Sequence, residues 1–124
     1  MSTATKPTLI TDLEHELNQT ILKGDFTKAF ERYYADNIVM QENDASPVAG
    51  KEANRKREEE FMKTVEQFHS AKLLSEAING DTAFSEWEYD MTVKGRGRGK
   101  MSEVAVRHWK NGQVVRERFY YKGM

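Results

Sequence analysis

From Gln67 onward the apolar side chains recur at every second residue instead of every third or fourth, and this holds almost to the end of the chain. That spacing commits the C-terminal part to β-structure with two distinct faces. Phe68 to Ile78 reads as a first long strand, turned back by Asn79-Gly80-Asp81. Thr82 to Val93 reads as the second, with Trp87, Tyr89 and Met91 on one face and Phe84, Glu86 and Glu88 on the other. The glycine-rich segment Gly95 to Gly99 leads into a third strand, Lys100 to Lys110. Asn111-Gly112 then marks a tight hairpin, since both residues tolerate positive φ, and Gln113 to about Tyr121 is the fourth strand. Strands this long call for a strongly curved sheet.

The N-terminal part follows a different period. Ile10, Leu13, Leu17 and Ile21 lie on one helical stripe, with Thr11 and Glu14 at capping-box spacing. Gly24 closes that helix and Asp25 is placed to cap a second, whose buried side is Phe26, Ala29, Phe30 and Tyr33. Asn37 to Glu42 is a short strand with Ile38, Met40 and Glu42 on one face, followed by a turn at Asn43 to Pro47. A third helix runs from about Lys51 to Thr64, with Arg55–Glu59 and Lys56–Glu60 as charge pairs. Its thin apolar side is Ala53, Phe61, Met62 and Val65. Helices first and an antiparallel meander afterwards is an α+β order.

At 124 residues the expectation is a single domain over 9–124, preceded by a flexible N-terminal segment, 1–8. A net charge of -1 offers no field for nucleic acid or an anionic membrane. The sequence has no cysteine, which removes disulfides, thiolate nucleophiles and cysteine-held metals. The start carries no secretory-signal pattern and no apolar stretch is long enough to span a bilayer, so a cytoplasmic protein is expected.

The wording Lys23-Gly24-Asp25-Phe26, Tyr34-Ala35-Asp36-Asn37-Ile38-Val39-Met40, Gly50-Lys51-Glu52-Ala53 and Trp109 to Arg116 resembles the nuclear transport factor 2-like superfamily, in its SnoaL-like and ketosteroid isomerase-like branch. The likeness covers roughly residues 9 to 121. It implies a cone-shaped half-barrel: a strongly curved antiparallel sheet packed on three N-terminal helices, with a pocket between them. It also implies a homodimer through the convex sheet face, which here would carry Phe84, Glu86, Glu88, Val104, Val106 and His108. These motifs specify fold better than chemistry.

In the isomerase-like enzymes a carboxylate base stands at the end of the first short strand, and counting from Tyr34-Ala35-Asp36 places Glu42 there. The family's oxyanion-hole tyrosine and protonated acid fall at Leu17 and Ala105, so steroid isomerisation by that mechanism is not expected. The same likeness, together with strand alternation, implies that Trp87, Tyr89 and Met91 turn inward, then Glu103, Ala105, Arg107 and Trp109, then Glu117, Phe119 and Tyr121. A one-residue slip would reverse that assignment.

The pocket so formed suits a small apolar or weakly polar organic molecule held by a few polar groups, with Met40, Trp87, Tyr89, Met91, Trp109, Phe119 and Tyr121 as its contacts. In such a pocket desolvation would raise the pKa of Glu42 and suit it to acid–base work; at a strand end it would reach solvent or pair with a cation. Glu103, Arg107 and Glu117 form a candidate cluster, either orienting a water for epoxide or ester hydrolysis or serving as an ion pair in the cavity wall. The aromatic residues are core or ligand contacts with equal reason.

His15, His69 and His108 lie on separate elements without metal-ligand spacing, so neither a metal nor another cofactor is expected. Gly95 to Gly99 reads as a hairpin loop, not a phosphate cradle. Three functions stay open: binding with acid–base isomerisation, cyclisation or hydration through Glu42; a non-catalytic binding or dimerisation module; and hydrolysis through Glu103, Arg107 and Glu117.

Overall fold

The structure is a computed structural model, and it describes residues 9–122. The segment expected to be flexible, 1–8, lies outside the described residues. In chain order the elements are α1 (Ile10–Leu22), α2 (Phe26–Tyr33), β1 (Tyr34–Glu42), β2 (Val48–Ala49), α3 (Lys51–Thr64), β3 (Val65–Asn79), β4 (Thr82–Val93), β5 (Gly97–Lys110) and β6 (Gln113–Tyr121). The period switch therefore falls at Val65, where α3 passes into β3 without a connecting loop.

One six-stranded sheet has the order β2-β1-β6-β5-β4-β3. It is curved and unclosed, the α+β arrangement of the cone fold. Consecutive strands from β3 to β6 pair antiparallel, as hairpins must. The join between β1 and β6 is parallel, so the sheet is mixed, a correction to the antiparallel sheet expected above. The reason is topological: β1 precedes the meander and reaches the free edge of its last strand, outside the hairpin series. Three register shifts along β3 add irregularities on the outer strand, the kind that bends a sheet. At Asn111 (φ 52) and Gly112 (φ 79) both central residues of the β5–β6 turn take positive φ, as that dipeptide predicts.

Several local expectations give way to tertiary contacts. Helix α1 begins after Leu9 with no side-chain cap. Glu14 is fully buried and bonded to the sheet instead of capping with Thr11, because a buried cation there offers it more than a surface turn does. Arg55 reaches Glu31 of α2 (2.7 Å) and Glu52, not Glu59. On α3 the side chain that enters the core is Asn54, which donates to the backbone oxygens of Val48 and Gly50, while Phe61 and Met62 stay 45% and 41% exposed. The glycine-arginine loop is shorter than expected, a turn at 94–96, since β5 already starts at Gly97 and Arg98 pairs with Asp90 across the strands.

Two apolar clusters form the core. One joins Leu17, Tyr33, Ile38, Met40, Trp109 and Val114. The other is Trp87, Tyr89 and Met91, flanked by Ile21, Phe68 and Met101. Both lie on the helix-covered face of the sheet, the one that alternation predicts. The opposite face presents Phe84, Val104 and Tyr120 to solvent.

Candidate functional site

On β5 and β6, Arg107 stands opposite Glu117, and the carboxylate accepts from Arg107 Nε (2.5 Å) and from the Tyr34 hydroxyl (2.5 Å). Arg107 Nη1 also donates to Glu14 Oε2 (2.6 Å) and Asn18 Oδ1 (2.7 Å) on α1. Trp109 Nε1 donates to the other Glu14 oxygen (2.9 Å). Glu14, Asn18, Arg107 and Glu117 are all at most 2% exposed, so this network is a polar knot inside the core that pins α1 to the sheet. Burial works against the Arg107 charge, and the surrounding acids outweigh it and hold it firmly charged.

The expected cluster of Glu103, Arg107 and Glu117 is thereby redrawn. Its third member is Glu14, from a helix ninety-odd residues away in sequence. Glu103 stands apart: it is 9% exposed, and among the described residues no hydrogen bond to its carboxyl is found. Burial raises its pKa to about 8, with the carboxylates of Glu117, Glu42 and Glu58 adding to the rise and Arg107 opposing it. At neutral pH Glu103 is therefore mainly a neutral acid.

Beneath the helices lies a cavity of about 830 Å³, walled by α2, α3 and the covered face of β4 to β6. Phe26, Phe61, Met62 and Phe68 line it together with Tyr89, Met91, Met101 and Phe119, and its acids include Glu42, Glu58 and Glu103. Glu42, at the end of β1, pairs with Arg57 of α3 and accepts from the Tyr121 hydroxyl (2.5 Å). Burial and that bond push Tyr121 up to about 12, so it keeps its proton. Glu58, one residue after Arg57, is half-buried, and desolvation raises it to about 7 against the pull of Arg57. Tyr89 is raised well above its ordinary value, by burial first and by Glu103 next. Its ring stacks on Trp87 at 5.6 Å and meets Phe68 edge-on at 6.0 Å.

The residues singled out from the sequence divide into two sets. Glu42, Tyr89, Met91, Glu103, Arg107, Phe119 and Tyr121 line the cavity. Met40, Trp87, Trp109 and Glu117 are buried behind it, in the apolar clusters and the polar knot, and are not among the residues lining the cavity. Trp87 spends its Nε1–H on Ser85 Oγ (2.9 Å). Sequence reasoning missed the contribution of α3, above all Arg57 and Glu58. Their surroundings in sequence read as a solvated charge run, and only the docking of α3 over the end of β1 turns the two inward. Among the described residues no group of His, Asp or Glu is arranged to hold a metal ion, and no helix is long and apolar enough to cross a membrane.

The class of protein this defines is the nuclear transport factor 2-like cone with a cavity under its helices. The SnoaL-like domain family matches residues 8–121, and the chain belongs to that family. Among solved structures, a candidate SnoaL-like polyketide cyclase from Mesorhizobium loti, also labelled a carbohydrate phosphatase, is 30% identical, with a TM-score of 0.85 over 92% of this chain and 100% of that one. A candidate SnoaL-like polyketide cyclase from Jannaschia sp. CCS1 has a TM-score of 0.80 at 9% identity, over 96% and 92% of the two chains. A Catenulispora acidiphila protein with a ketosteroid isomerase-like fold, in complex with trimethylamine, reaches 0.72 at 14% identity, over 86% and 85%. The last two likenesses are of fold alone. No curated protein matches the sequence.

Proposed function

We propose that the chain binds a small, largely apolar organic molecule in this cavity and moves a proton on it, as an isomerase, cyclase or hydratase would. The observation that carries the reading is Glu103, a buried acid without a hydrogen-bond partner among the described residues, in the wall of an otherwise aromatic and methionine-rich cavity. Such volume suits a ligand of a few rings. A neutral carboxyl can donate to a ligand oxygen on which negative charge develops, the task of an oxyanion hole. Position 105 has no acid, but Glu103 stands two residues before it on the same strand face. Glu42, oriented by Arg57 and Tyr121, is the proposed base across the cavity.

Hydrolysis through a water held by Glu103, Arg107 and Glu117 has less support, because Arg107 and one Glu117 oxygen are already engaged by Glu14, Asn18 and Tyr34. The exposed sheet face with Phe84, Val104 and Tyr120 supports a further proposal, a homodimer through that face. A thermal-shift screen of wild type and Glu42→Gln against steroids, polyketide-like aromatics, terpenoids and epoxides tests the binding reading. Stabilisation of the wild type with a profile altered in Glu42→Gln is the expected result. No stabilisation of either protein by any class would overturn it in favour of a non-catalytic dimerisation module.

A further inference from the structure

The charges lining the cavity are unevenly matched from rim to interior. Toward the rim, Arg55 pairs with Glu31 and Glu52, and Lys63, Lys94 and Arg96 are exposed to solvent. Deeper, Arg57 is engaged by Glu42, and Arg107 by Glu14 and Glu117. That leaves three lining carboxyls to which no ion pair or hydrogen bond is made among the described residues, the exposed Glu59 and the two deeper ones, Glu58 and Glu103. Glu103 is nine-tenths buried and lines the cavity. Around it stand Glu117 and Tyr121 of β6, Arg107 of β5, Glu42 of β1, Glu58 of α3 and Tyr89 of β4, so at this depth, away from the exposed cations of the rim, acids prevail around Glu103.

Aromatic faces line the same space. Phe26, Phe68 and Tyr89 form an edge-to-face series, with centroids 5.4 and 6.0 Å apart. Among the described residues the rings that carry a Lys or Arg over their faces are Tyr33, Phe30 and Tyr120, none of this series. Electron-rich ring faces beside unmatched carboxyls make a site for an organic cation. The carboxyls are too dispersed to form a metal cluster, so an inorganic divalent ion fits the wall poorly.

Resting on the reading of the cavity as an apolar-ligand site, we infer that its ligand is an organic ammonium, its charge met by the Glu58 carboxylate, with Glu103 beside it as a hydrogen-bond donor, and its substituents by Phe26, Phe68 and Tyr89. The two carboxyls hold their protons unequally, so Glu58 ionises first opposite the cation and Glu103 remains the donor to any ligand oxygen. Binding of the cation releases protons, and its affinity rises with pH from 6 to 8. A neutral ligand of the same shape shows neither effect.

Two probes differing only in charge decide it: dibenzyldimethylammonium and its carbon isostere 2,2-dimethyl-1,3-diphenylpropane, titrated into the full chain by calorimetry at pH 8. The expected result is tighter binding of the cation by about tenfold or more, the scale of one desolvated cation–carboxylate or cation–π contact. Repeating the titration at pH 7 in phosphate and in Tris should reveal protons released on binding the cation. In Glu58→Gln/Glu103→Gln the preference should collapse while the isostere binds as before, which also shows that the cavity has survived. Equal or tighter binding of the isostere to wild type overturns the ammonium inference and leaves the apolar-ligand reading standing. Failure of both probes to bind overturns both. If the double variant does not fold, the wild-type preference and proton release decide alone.

Discussion

Replacing Glu14 by alanine removes one carboxylate from the polar knot and strands its partners. Arg107 loses its 2.6 Å bond to Glu14 and is left with Glu117, and Trp109 Nε1 loses its acceptor. All of this happens where Glu14 and Arg107 are 1% and 2% exposed, so water cannot stand in easily. Breaking a buried ion pair from one side typically costs about 3–5 kcal/mol. Asn18 still accepts from Arg107, at 2.7 Å, which places the expected loss toward the lower end, about 3–4 kcal/mol. For a chain of this size that corresponds to a fall in Tm of roughly 10–20 °C. Urea and thermal denaturation of wild type, Glu14→Ala and Glu16→Ala measure it. Glu16 lies on the same helix with a half-exposed carboxylate, and its loss should cost no more than about 1 kcal/mol. If the Glu14 and Glu16 variants lost stability equally, the knot would not be what fastens α1 to the sheet, and the reasoning would fail.

Glu103 gives a pH prediction with a definite sign. Its folded-state pKa, about 8, lies above the ordinary 4.5, so its favourable contribution is complete below 4.5 and is lost as pH rises through 8. Glu103→Gln should therefore flatten the decline in stability between pH 5 and 8 and exceed wild type at pH 8, by at most about 5 kcal/mol; a decline of the same size in the variant would count against the buried acid. Trp87→Ala removes a fully buried ring stacked on Tyr89 and should cost about 3–5 kcal/mol, read from the urea midpoint. Gly50 holds φ 96 and ψ 144 at the start of α3, with nothing near its missing Cβ. Gly50→Ala should thus cost about 1–3 kcal/mol through backbone strain alone, and an unchanged Tm would contradict that conformation. Sedimentation at micromolar concentration should show a dimer, and a monomer there would remove the proposed sheet-face interface.

The sheet was legible because alternation is a local signal. Thr82–Val93 and the Asn111-Gly112 turn follow from neighbouring residues alone, while the inward set from Trp87 to Tyr121 needed the family likeness as well as alternation. The site was legible only in part, since its members are chosen by contacts that sequence spacing does not encode. Nothing adjacent to Glu14 announces Arg107, and a capping role is the cheaper local reading. Arg57 and Glu58 sit in a run of charges on a helix whose apolar side is thin, so the turn that enters the cavity could not be told from those that face water. Trp87 and Trp109 share a strand face with cavity residues, but alternation gives the face and not the depth. Whether such a ring lines a cavity or fills the space behind it depends on how the helices dock.

The parallel pairing of β1 with β6 bears on when this chain can fold. Met40 is registered against Glu117 and Glu42 against Phe119, so this ladder inside the sheet joins segments far apart in the sequence. Closing such a loop is entropically slow and is rewarded only once both partners exist. During synthesis α1, α2, β1 and α3 emerge before their strand partner has been made, with Glu14 still lacking Arg107 and Glu42 lacking Tyr121. The short β1–β2 pair and the hairpins from β3 to β5 can assemble before β6 appears. The nine residues of β6 therefore act as the closing step of folding, and the cavity is complete only once they have been made.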